Sequence, residues 1–333
     1  MTMALDHNLP QGEKLISSPR TVGICGLGQI GLPLTLACWR SGFKVCGYDV
    51  HHQKLETALQ DLHALDEWMK REIPELVPHY GSIEFTPDLA TLNREADLVV
   101  ECIWEDMDQK VALLRSLSGA ASRGAAFCTS TSGLSVSEMG NRSGLSRQLV
   151  GTHFWTPPHL MPLVEVVVGS GTTEETVEIA SQFCRKIGKR PVRVNIDAPG
   201  FIGNRMLHAL WREAIHIVER GIASPEDVDA VAKLTFGLRQ SVLGPMEHMD
   251  LAGLDLVHAI QGYLLRDLAA NPHPNKLLQE MFHEQQLGVK TRQGFYDWTK
   301  RDPAALVQAR DHQIVRELKR LIKERTDEGS PDD

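Results

Sequence analysis

The feature that most constrains this chain is an alternation of short apolar runs with amphipathic segments, beginning at Thr21. The segments have helical apolar spacing, one of them over residues 52 to 72. The apolar runs are TVGIC, KVCGYDV, SIEF, DLVVECIW and AAFCTST. Buried strands that alternate with helices form a parallel sheet with helices on both faces. Residues 20 to 198 are therefore predicted to form a doubly wound α/β domain of the Rossmann type.

Polar residues mark where several helices begin. Ser135 with Glu138, and Thr172 with Glu175, have the spacing of a capping box, in which a hydroxyl and an acid satisfy the first helical N–H groups. Ser224 precedes a proline and two acids, which is a typical helix entry. These signals predict helices that start after Ser135, Thr172 and Ser224.

The second part of the chain has a different pattern. It contains almost no β-like run and many segments with helical apolar spacing. We predict a mostly helical domain over residues 199 to 326. Flexible tails are expected at residues 1 to 19 and 327 to 333.

A glycine-rich turn joins the first predicted strand to the first predicted helix. Gly26, Gly28 and Gly31 have the spacing G-x-G-x-x-G. The first glycine permits a tight turn, the second lets the backbone approach a pyrophosphate, and the third lets helix and strand pack closely. The phosphates would lie at the N-terminus of the helix, where N–H groups are unpaired. The predicted cofactor-binding turn consists of Gly26, Leu27, Gly28, Gln29, Ile30 and Gly31.

An acid after the second predicted strand indicates which dinucleotide binds. Asp49 follows the glycine turn by about 20 residues, where a carboxylate binds the hydroxyls of the adenosine ribose. The same charge would repel a 2′-phosphate, so NAD is favoured over NADP. Two alternatives remain open, namely a flavin in the same fold and glycines that serve only the turn.

A histidine lies within the apolar stretch VGTHFWTPPHLMPLVEVVVG, which has the pattern of a strand, a turn and a strand. If the turn is centred on His159, residues whose numbers sum to 318 face each other, so His153 faces Glu165. A carboxylate across a hairpin can hold an imidazole in one tautomer, which is the arrangement of an oriented general base. A structural His–Glu pair at a wet sheet edge is the alternative.

Composition excludes several classes of partner. The net charge of −8 argues against nucleic acids and anionic membranes, so a small-molecule substrate is expected. The six cysteines stand singly, without the spacing of a zinc site, and we expect reduced packing residues and no metal. No stretch approaches the roughly 20 apolar residues that span a bilayer, and the first twenty residues lack a signal core. A cytoplasmic location is expected.

Seven separated stretches, between about residues 20 and 300, carry a resemblance to a known family. They are GICGLGQIG, ADLVVECIWED, STSGLSVSE, GTHFWTPPHLMPLVEVV, PGFIGNR, GPMEHMDLAGLDL and GVKTRQGFYDW. Together they resemble the 3-hydroxyacyl-CoA dehydrogenase family, which also contains carnitine dehydrogenase, gulonate 3-dehydrogenase and lambda-crystallin. The resemblance implies an NAD-dependent oxidation of the 3-hydroxyl of a 3-hydroxyacyl-CoA or a small 3-hydroxy acid. It also implies a homodimer with the helical domain at its interface.

The same resemblance implies roles for single residues. His153 matches the general base and Glu165 its orienting carboxylate. Ser132 matches a serine that binds the reacting oxygen, and Asn204 an asparagine that reaches in from the helical domain. Either residue could instead be structural. Glu105, Lys110, Ser130, Thr156 and Lys290 match positions near the cofactor. Glu101 and Glu105 both follow the fourth predicted strand, and one of these two glutamates could reach the nicotinamide.

Departures from the family pattern concern the substrate. Ser130 and Thr156 replace two asparagines of the thioester enzymes. Residues 51 to 76 are acidic, whereas the phosphorylated ADP of coenzyme A would prefer basic neighbours. GVKTRQGFYDW keeps most of the thioester pattern, with Arg292 in place of a glycine.

Several hypotheses about the function therefore remain open. A thioester substrate, which would belong to fatty acid metabolism, and a free hydroxy acid are both compatible with the motifs. A nucleotide-sugar or 3-hydroxyisobutyrate type of dehydrogenase has a similar glycine loop, but it leaves the His153–Glu165 pairing unexplained. A crystallin-like protein that binds NAD(H) without turnover is the non-enzymatic alternative.

Overall fold

The computed structural model describes residues 19–327, and these divide into two compact units between Phe201 and Ile202. The predicted tails lie outside the described residues, apart from Pro19 and Asp327. Within the described range, no helix is both long and apolar enough to cross a membrane.

The first unit is built around an eight-stranded sheet with the order β3-β2-β1-β4-β5-β6-β7-β8. The strands are β1 (Thr21–Cys25), β2 (Lys44–Tyr48), β3 (Ser82–Thr86), β4 (Leu98–Glu101), β5 (Ala126–Thr129), β6 (Leu149–Phe154), β7 (Leu163–Val167) and β8 (Arg190–Val194). All neighbouring strands are parallel except β6 and β7, which form an antiparallel pair. The predicted Rossmann-type α/β fold is confirmed.

Helices connect the strands of this unit. They are α1 (Gly31–Arg40), α2 (His52–Glu72), α3 (Leu89–Glu95), α4 (Met107–Ser116), α5 (Ser118–Ser122), α6 (Val136–Ser143) and α7 (Glu174–Lys186). Successive strand residues face opposite sides of a sheet. Accordingly, Val100 belongs to one apolar cluster and Val99 to the other, and in β5 Cys128 and Phe127 divide in the same way. The central strands are therefore buried on both faces, which explains their continuous apolar sequence.

The start of α7 differs from the prediction by one residue. The N-cap is Thr173, whose Oγ1 accepts the N–H of Thr176 at 3.3 Å. Thr172, the predicted cap, instead donates its hydroxyl to the carbonyl of Leu149 at 2.6 Å. The prediction was wrong because Thr172 is held by the neighbouring strand, which leaves capping to the next threonine.

The second unit is mostly helical, as the pattern predicted. They are α8 (Gly203–Glu219), α9 (Pro225–Leu234), α10 (Phe236–Arg239), α11 (Pro245–Ala252), α12 (Leu254–Leu264), α13 (Lys276–His283) and α14 (Pro303–Asp327). Ser224 caps α9, since its Oγ accepts the N–H of Asp227 at 3.1 Å, with Pro225 in the first turn. The predicted start of this helix is confirmed.

The six cysteines are free, and all but Cys102 are buried. Burial raises the pKa of their thiols, to about 11 for Cys46 and to about 12 for Cys128. The thiols are therefore protonated at neutral pH. The prediction that these cysteines are packing residues is confirmed.

Candidate active site

The turn between β1 and α1 requires glycine at two of its three glycine positions. Gly26 has a φ of +94°, and its N–H donates to the carbonyl of Tyr48 at 2.7 Å. A Cβ on Gly26 would lie 2.8 Å from the carbonyl oxygen of Cys102, and a Cβ on Gly31 would lie 1.8 Å from the carbonyl oxygen of Gly26. These two glycines serve the close packing of strand, turn and helix.

Gly28 has no such local reason to be a glycine. No atom lies within 4 Å of the position its Cβ would occupy, and its φ is outside the left-handed region. It borders a cleft of about 680 Å³ whose wall also includes Gln29, Asp49 and Ile103. A backbone that is left bare beside a cleft, at the start of a helix, fits the close approach of a pyrophosphate. The residues present therefore fit a dinucleotide.

Asp49 follows β2 and is buried at the edge of this cleft. Its Oδ2 accepts the N–H of Leu27 at 2.9 Å, its Oδ1 accepts the N–H of His51 at 2.9 Å, and Lys54 Nζ lies 3.1 Å from Oδ2. Burial acts to raise the pKa of Asp49, but these donors outweigh it and hold the pKa below its usual range. An ionised carboxylate thus fixes the glycine turn and faces the cleft. The sequence analysis did not anticipate Lys54.

His153 in β6 and Glu165 in β7 face each other in the antiparallel register. Nδ1 of His153 lies 2.7 Å from Oε2 of Glu165, and the two residues are 4% and 2% exposed. Because an ionised carboxylate can only accept a hydrogen bond, this contact places an N–H on Nδ1 of the imidazole. The predicted pairing is confirmed. The alternative of a wet sheet edge is wrong, because β6 and β7 are interior strands.

Two aromatic rings that the sequence analysis missed flank the imidazole. The ring centroid of His153 is 5.0 Å from that of Trp155 and 5.6 Å from that of Phe201. Phe201 has a φ of +51°, which is unusual for a residue with a side chain. Its place in the motif PGFIGNR was the one available signal in the sequence.

The segment that carries Phe201 is fastened to the start of α6. Oδ2 of Asp197 accepts the hydroxyl of Ser135 at 2.7 Å and the N–H of Ser137 at 2.8 Å. Ser135 also caps α6 as predicted, since its Oγ accepts the N–H of Glu138 at 3.1 Å. Asp197 was not among the predicted site residues, and it ties the segment before Phe201 to the loop after β5.

The loop after β5 is held by an acid from the loop after β4. Oε1 of Glu105 accepts the hydroxyl of Thr131 at 2.6 Å and the N–H of Ser132 at 2.8 Å. Ser132 is exposed, and the N–H of Ser130 donates to the carbonyl of Glu101 at 2.9 Å. The structure thus brings Glu105 and Ser132 together, two residues that the sequence analysis named for different roles.

An ion pair lies beneath this loop. Oε1 of Glu101 is 2.7 Å from Lys110 Nζ, and Oε2 accepts the hydroxyl of Thr129 at 2.7 Å. Burial raises the pKa of Glu101, and Lys110 and Thr129 oppose that rise. Glu101 is the last residue of β4 and fully buried, so the prediction that it follows the strand is wrong.

The remaining predicted residues are spread over the chain. Thr156 is exposed and follows β6, before a cis bond to Pro157. Asn204 lies in the first turn of α8, and Lys290 lies in the segment between α13 and α14. Asn204 and Lys290 both belong to the second unit.

Two models of one family match the chain. The model described as "3-hydroxyacyl-CoA dehydrogenase, NAD binding domain" matches residues 21–197, and the corresponding C-terminal domain matches residues 200–298.

Curated relatives include two different dehydrogenases. A 5-formyl-3-hydroxy-2-methylpyridine 4-carboxylate 5-dehydrogenase of Mesorhizobium japonicum is 31% identical, over 92% of this chain and 99% of the relative. A probable 3-hydroxybutyryl-CoA dehydrogenase of Deinococcus radiodurans is 35% identical, over 83% and 99%.

Solved structures give the same two kinds of neighbour. The crystal structure of the pyridine-carboxylate dehydrogenase, described as an NAD+ dependent dismutase, has a TM-score of 0.85 at 31% identity and covers 91% of this chain and 98% of its own. That of an (S)-3-hydroxybutyryl-CoA dehydrogenase from Ralstonia eutropha has a TM-score of 0.67 at 28% identity and covers 84% and 99%.

Proposed function

The chain belongs to the 3-hydroxyacyl-CoA dehydrogenase family and is an NAD-dependent oxidoreductase, and on that premise we propose that it oxidises the 3-hydroxyl of a small free hydroxy acid, with His153 as general base. The observation that carries the proposal is the buried pair of His153 and Glu165, in which the carboxylate fixes the tautomer of the imidazole. An oriented imidazole in a domain that binds a dinucleotide is the arrangement that general base catalysis requires.

The proposed chemistry follows from these side chains. Oxidation of a secondary alcohol removes a proton from oxygen and a hydride from carbon. Bound NAD supplies the acceptor for the hydride. Nε2 of His153 takes the hydroxyl proton, and Glu165 stabilises the imidazolium that forms. We assign to Ser132 and Asn204 the hydrogen bonds to the reacting oxygen, a role that their match to the family motifs supports.

The surface of α2 favours a free acid over a CoA thioester. The phosphates of coenzyme A need cationic partners. Each of the three basic side chains of α2 already contacts an acid: Lys54 contacts Asp49, Lys70 contacts Asp66 and Glu67, and Arg71 contacts Glu72. The helix also carries five acidic residues against those three bases. The likeness to a dehydrogenase named for a pyridine carboxylate, at a TM-score of 0.85, supports a compact acid as well.

The substrate is tested by a panel in which each compound is offered with NAD and NADH formation is followed by absorbance. The panel contains 3-hydroxy acids, carnitine, gulonate, a formylpyridine carboxylate and 3-hydroxybutyryl-CoA. We expect turnover of a free acid and little of the thioester. A strict requirement for the CoA moiety would overturn the substrate class, and binding of NADH without any turnover would favour the crystallin-like alternative.

The base is tested by His153→Ala, with His312→Ala on the exposed face of α14 as the matched control. We expect His153→Ala to lose at least about a hundredfold in kcat, because general base catalysis contributes 10²–10⁴-fold. The affinity for NADH should stay unchanged, and His312→Ala should behave as the wild type. Full turnover by a folded His153→Ala variant would refute the assignment.

We also assign a homodimer to this protein, with the second unit at the interface. Many large apolar side chains of that unit are more than half exposed, which is unusual for a monomer surface. They include Leu234, Leu238, Val242, Met246, Leu251, Leu254, Leu256 and Tyr263. Sedimentation equilibrium should give twice the mass of the chain, and a monomer at micromolar concentration would refute the assignment.

We also propose a cytoplasmic location, because free cysteines are typical of a reducing compartment.

A further inference from the structure

Glu101 and Lys110 form an ion pair that is fully enclosed by protein. Their exposed fractions are 0% and 1%, and Oε1 of Glu101 is 2.7 Å from Lys110 Nζ. Moving two charges out of water is costly, and well-packed apolar residues often give equal or greater stability. Stability alone is therefore a weak reason for this pair at the end of β4.

Three acceptor groups surround the ammonium group of Lys110. Nζ lies 2.7 Å from Glu101 Oε1, 3.2 Å from the carbonyl oxygen of Ile103 and 3.3 Å from Glu105 Oε2. The first two contacts are hydrogen bonds, and the third is an ion-pair contact. Lys110 is only 1% exposed, so the effect of its charge is transmitted by the groups that enclose it.

Glu105 connects Lys110 to the loop that carries Ser132. One of its oxygens faces Lys110, and the other accepts the hydroxyl of Thr131 and the N–H of Ser132. The side chain of Glu105 is 42% exposed, so without Lys110 it could turn into solvent. Thr131 Oγ1 in turn accepts the N–H of Leu134 at 2.9 Å. One carboxylate thus holds the loop, and Lys110 holds that carboxylate.

Glu101 is the fixed end of this chain of contacts. Its carboxylate accepts the N–H of Ile103 at 2.7 Å and the hydroxyl of Thr129 at 2.7 Å, in addition to Lys110. Thr129 ends β5, so the anchor joins two neighbouring strands. The contacts run from the sheet through Glu101, Lys110 and Glu105 to the backbone of Ser132.

We propose that Glu101 is a positioning residue, which acts through Lys110 and Glu105 to hold the loop of Ser132 in the geometry that the reaction needs. The proposal rests on the proposed function, because it takes Ser132 as the residue that binds the reacting oxygen. It gives Lys110 the role of linking the two carboxylates.

The substitution Glu101→Gln tests the proposal because it keeps the shape and removes the charge. Lys110 then keeps Glu105 as its one carboxylate partner among the described residues, and we expect Glu105 to move towards it and away from the N–H of Ser132. The double variant Glu101→Gln/Lys110→Met has no buried ammonium charge that needs a partner, but it also lacks the ion pair between Lys110 and Glu105. Glu95→Gln is the matched control, since its carboxylate pairs with Lys44 on the surface at 2.6 Å.

The first measurement needs no substrate. Hydrogen–deuterium exchange of the peptide that contains residues 130–134 reports the hydrogen bond from Ser132 to Glu105. We expect about tenfold faster exchange in Glu101→Gln and in the double variant, and wild-type exchange in Glu95→Gln. Unchanged exchange in both test variants would overturn the proposal. Hydrogen–deuterium exchange does not depend on turnover, so it tests the role of Glu101 even if no compound of the panel is oxidised. Absence of oxidation would contradict the proposed function and not the role of Glu101.

The second measurement separates positioning from support of the fold. We expect kcat/KM for the hydroxy substrate to fall about 10- to 100-fold in both test variants, because small displacements of aligned groups cost that much. The dissociation constant of NADH should change less than threefold. If Glu101 only neutralised Lys110, the double variant would regain turnover along with stability, and that recovery would overturn the proposal. Should the single variant fail to fold, the double variant gives both readings alone.

Discussion

Gly28→Ala should separate the stability of the fold from the binding of NAD. An added Cβ would meet no atom within 4 Å, and the backbone is not in the left-handed region. The native structure therefore accommodates alanine without a shift. Because alanine restricts the unfolded chain more than glycine does, the free energy of unfolding should stay equal or rise by about 0.4–1 kcal/mol.

The affinity of the Gly28→Ala variant for NADH should fall. The new methyl group extends about 1.5 Å from the backbone into the cleft that Gly28 borders. A charge-assisted hydrogen bond contributes roughly 1.5–3 kcal/mol. Loss of one or two such bonds between the turn and the pyrophosphate, about 3 kcal/mol in total, corresponds to an affinity for NADH about a hundredfold weaker.

The assay combines a fluorescence titration with NADH and denaturant unfolding without cofactor. Gly31→Ala serves as the contrast, because its Cβ would lie 1.8 Å from the carbonyl oxygen of Gly26, and we expect a loss of several kcal/mol in stability. Gly262→Ala, in α12 with nothing within 4 Å, controls for the substitution itself. A folded Gly28→Ala variant that binds NADH within threefold of the wild type would refute the assignment of the cleft.

Three further predictions concern charges. Glu165→Gln keeps an acceptor for Nδ1 of His153 but removes the negative charge, whose interaction with the imidazolium is worth about 3–4 kcal/mol at an effective dielectric constant near 20. We therefore expect kcat to fall about 10²- to 10³-fold with little change in KM. Steady-state kinetics that show less than a fivefold loss would contradict this prediction. Asp49→Asn should weaken NADH binding about tenfold and reduce the discrimination against NADPH, which paired titrations measure. Burial lowers the pKa of Lys189 to about 8, below the ordinary value of about 10.4. Between these two values the unfolded chain binds a proton at Lys189 that the native chain does not, so the contribution of Lys189 to the free energy of unfolding should rise with pH by roughly 3 kcal/mol. The buried cysteines change stability in the opposite direction over the same range, so urea unfolding is compared between variants. The difference between the wild type and Lys189→Met should grow in favour of the wild type by that amount, whereas the difference between the wild type and the exposed control Lys276→Met should stay constant.

The parts of the site that repeat a local pattern could be predicted from the sequence. A hairpin has a fixed side-chain period, so the position of the turn alone brought His153 opposite Glu165. The glycine turn followed in the same way, because a strand, a glycine-rich turn and a helix are neighbours along the chain.

The parts that depend on distant contacts could not be predicted. The sequence VVECIWED offers two glutamates, and nothing local indicates that Glu101 is enclosed with Lys110 while Glu105 reaches Ser132. The bond from Asp197 to Ser135 joins residues 62 positions apart. Thr172 was predicted to cap a helix because spacing along the chain does not reveal that its hydroxyl donates to the carbonyl of Leu149 in a neighbouring strand.

The location of His153 and Glu165 on two adjacent strands has a consequence for protein engineering. Backbone pairing of β6 with β7 aligns the imidazole and the carboxylate, so residues 155–162, which connect the strands, do not set their separation. Changes in this connector should therefore alter the surroundings of the imidazole, including Trp155, without moving Glu165 away from it. A slip of β7 by a single position would instead bring Val164 or Val166 opposite the imidazole and leave the base without its counter-charge.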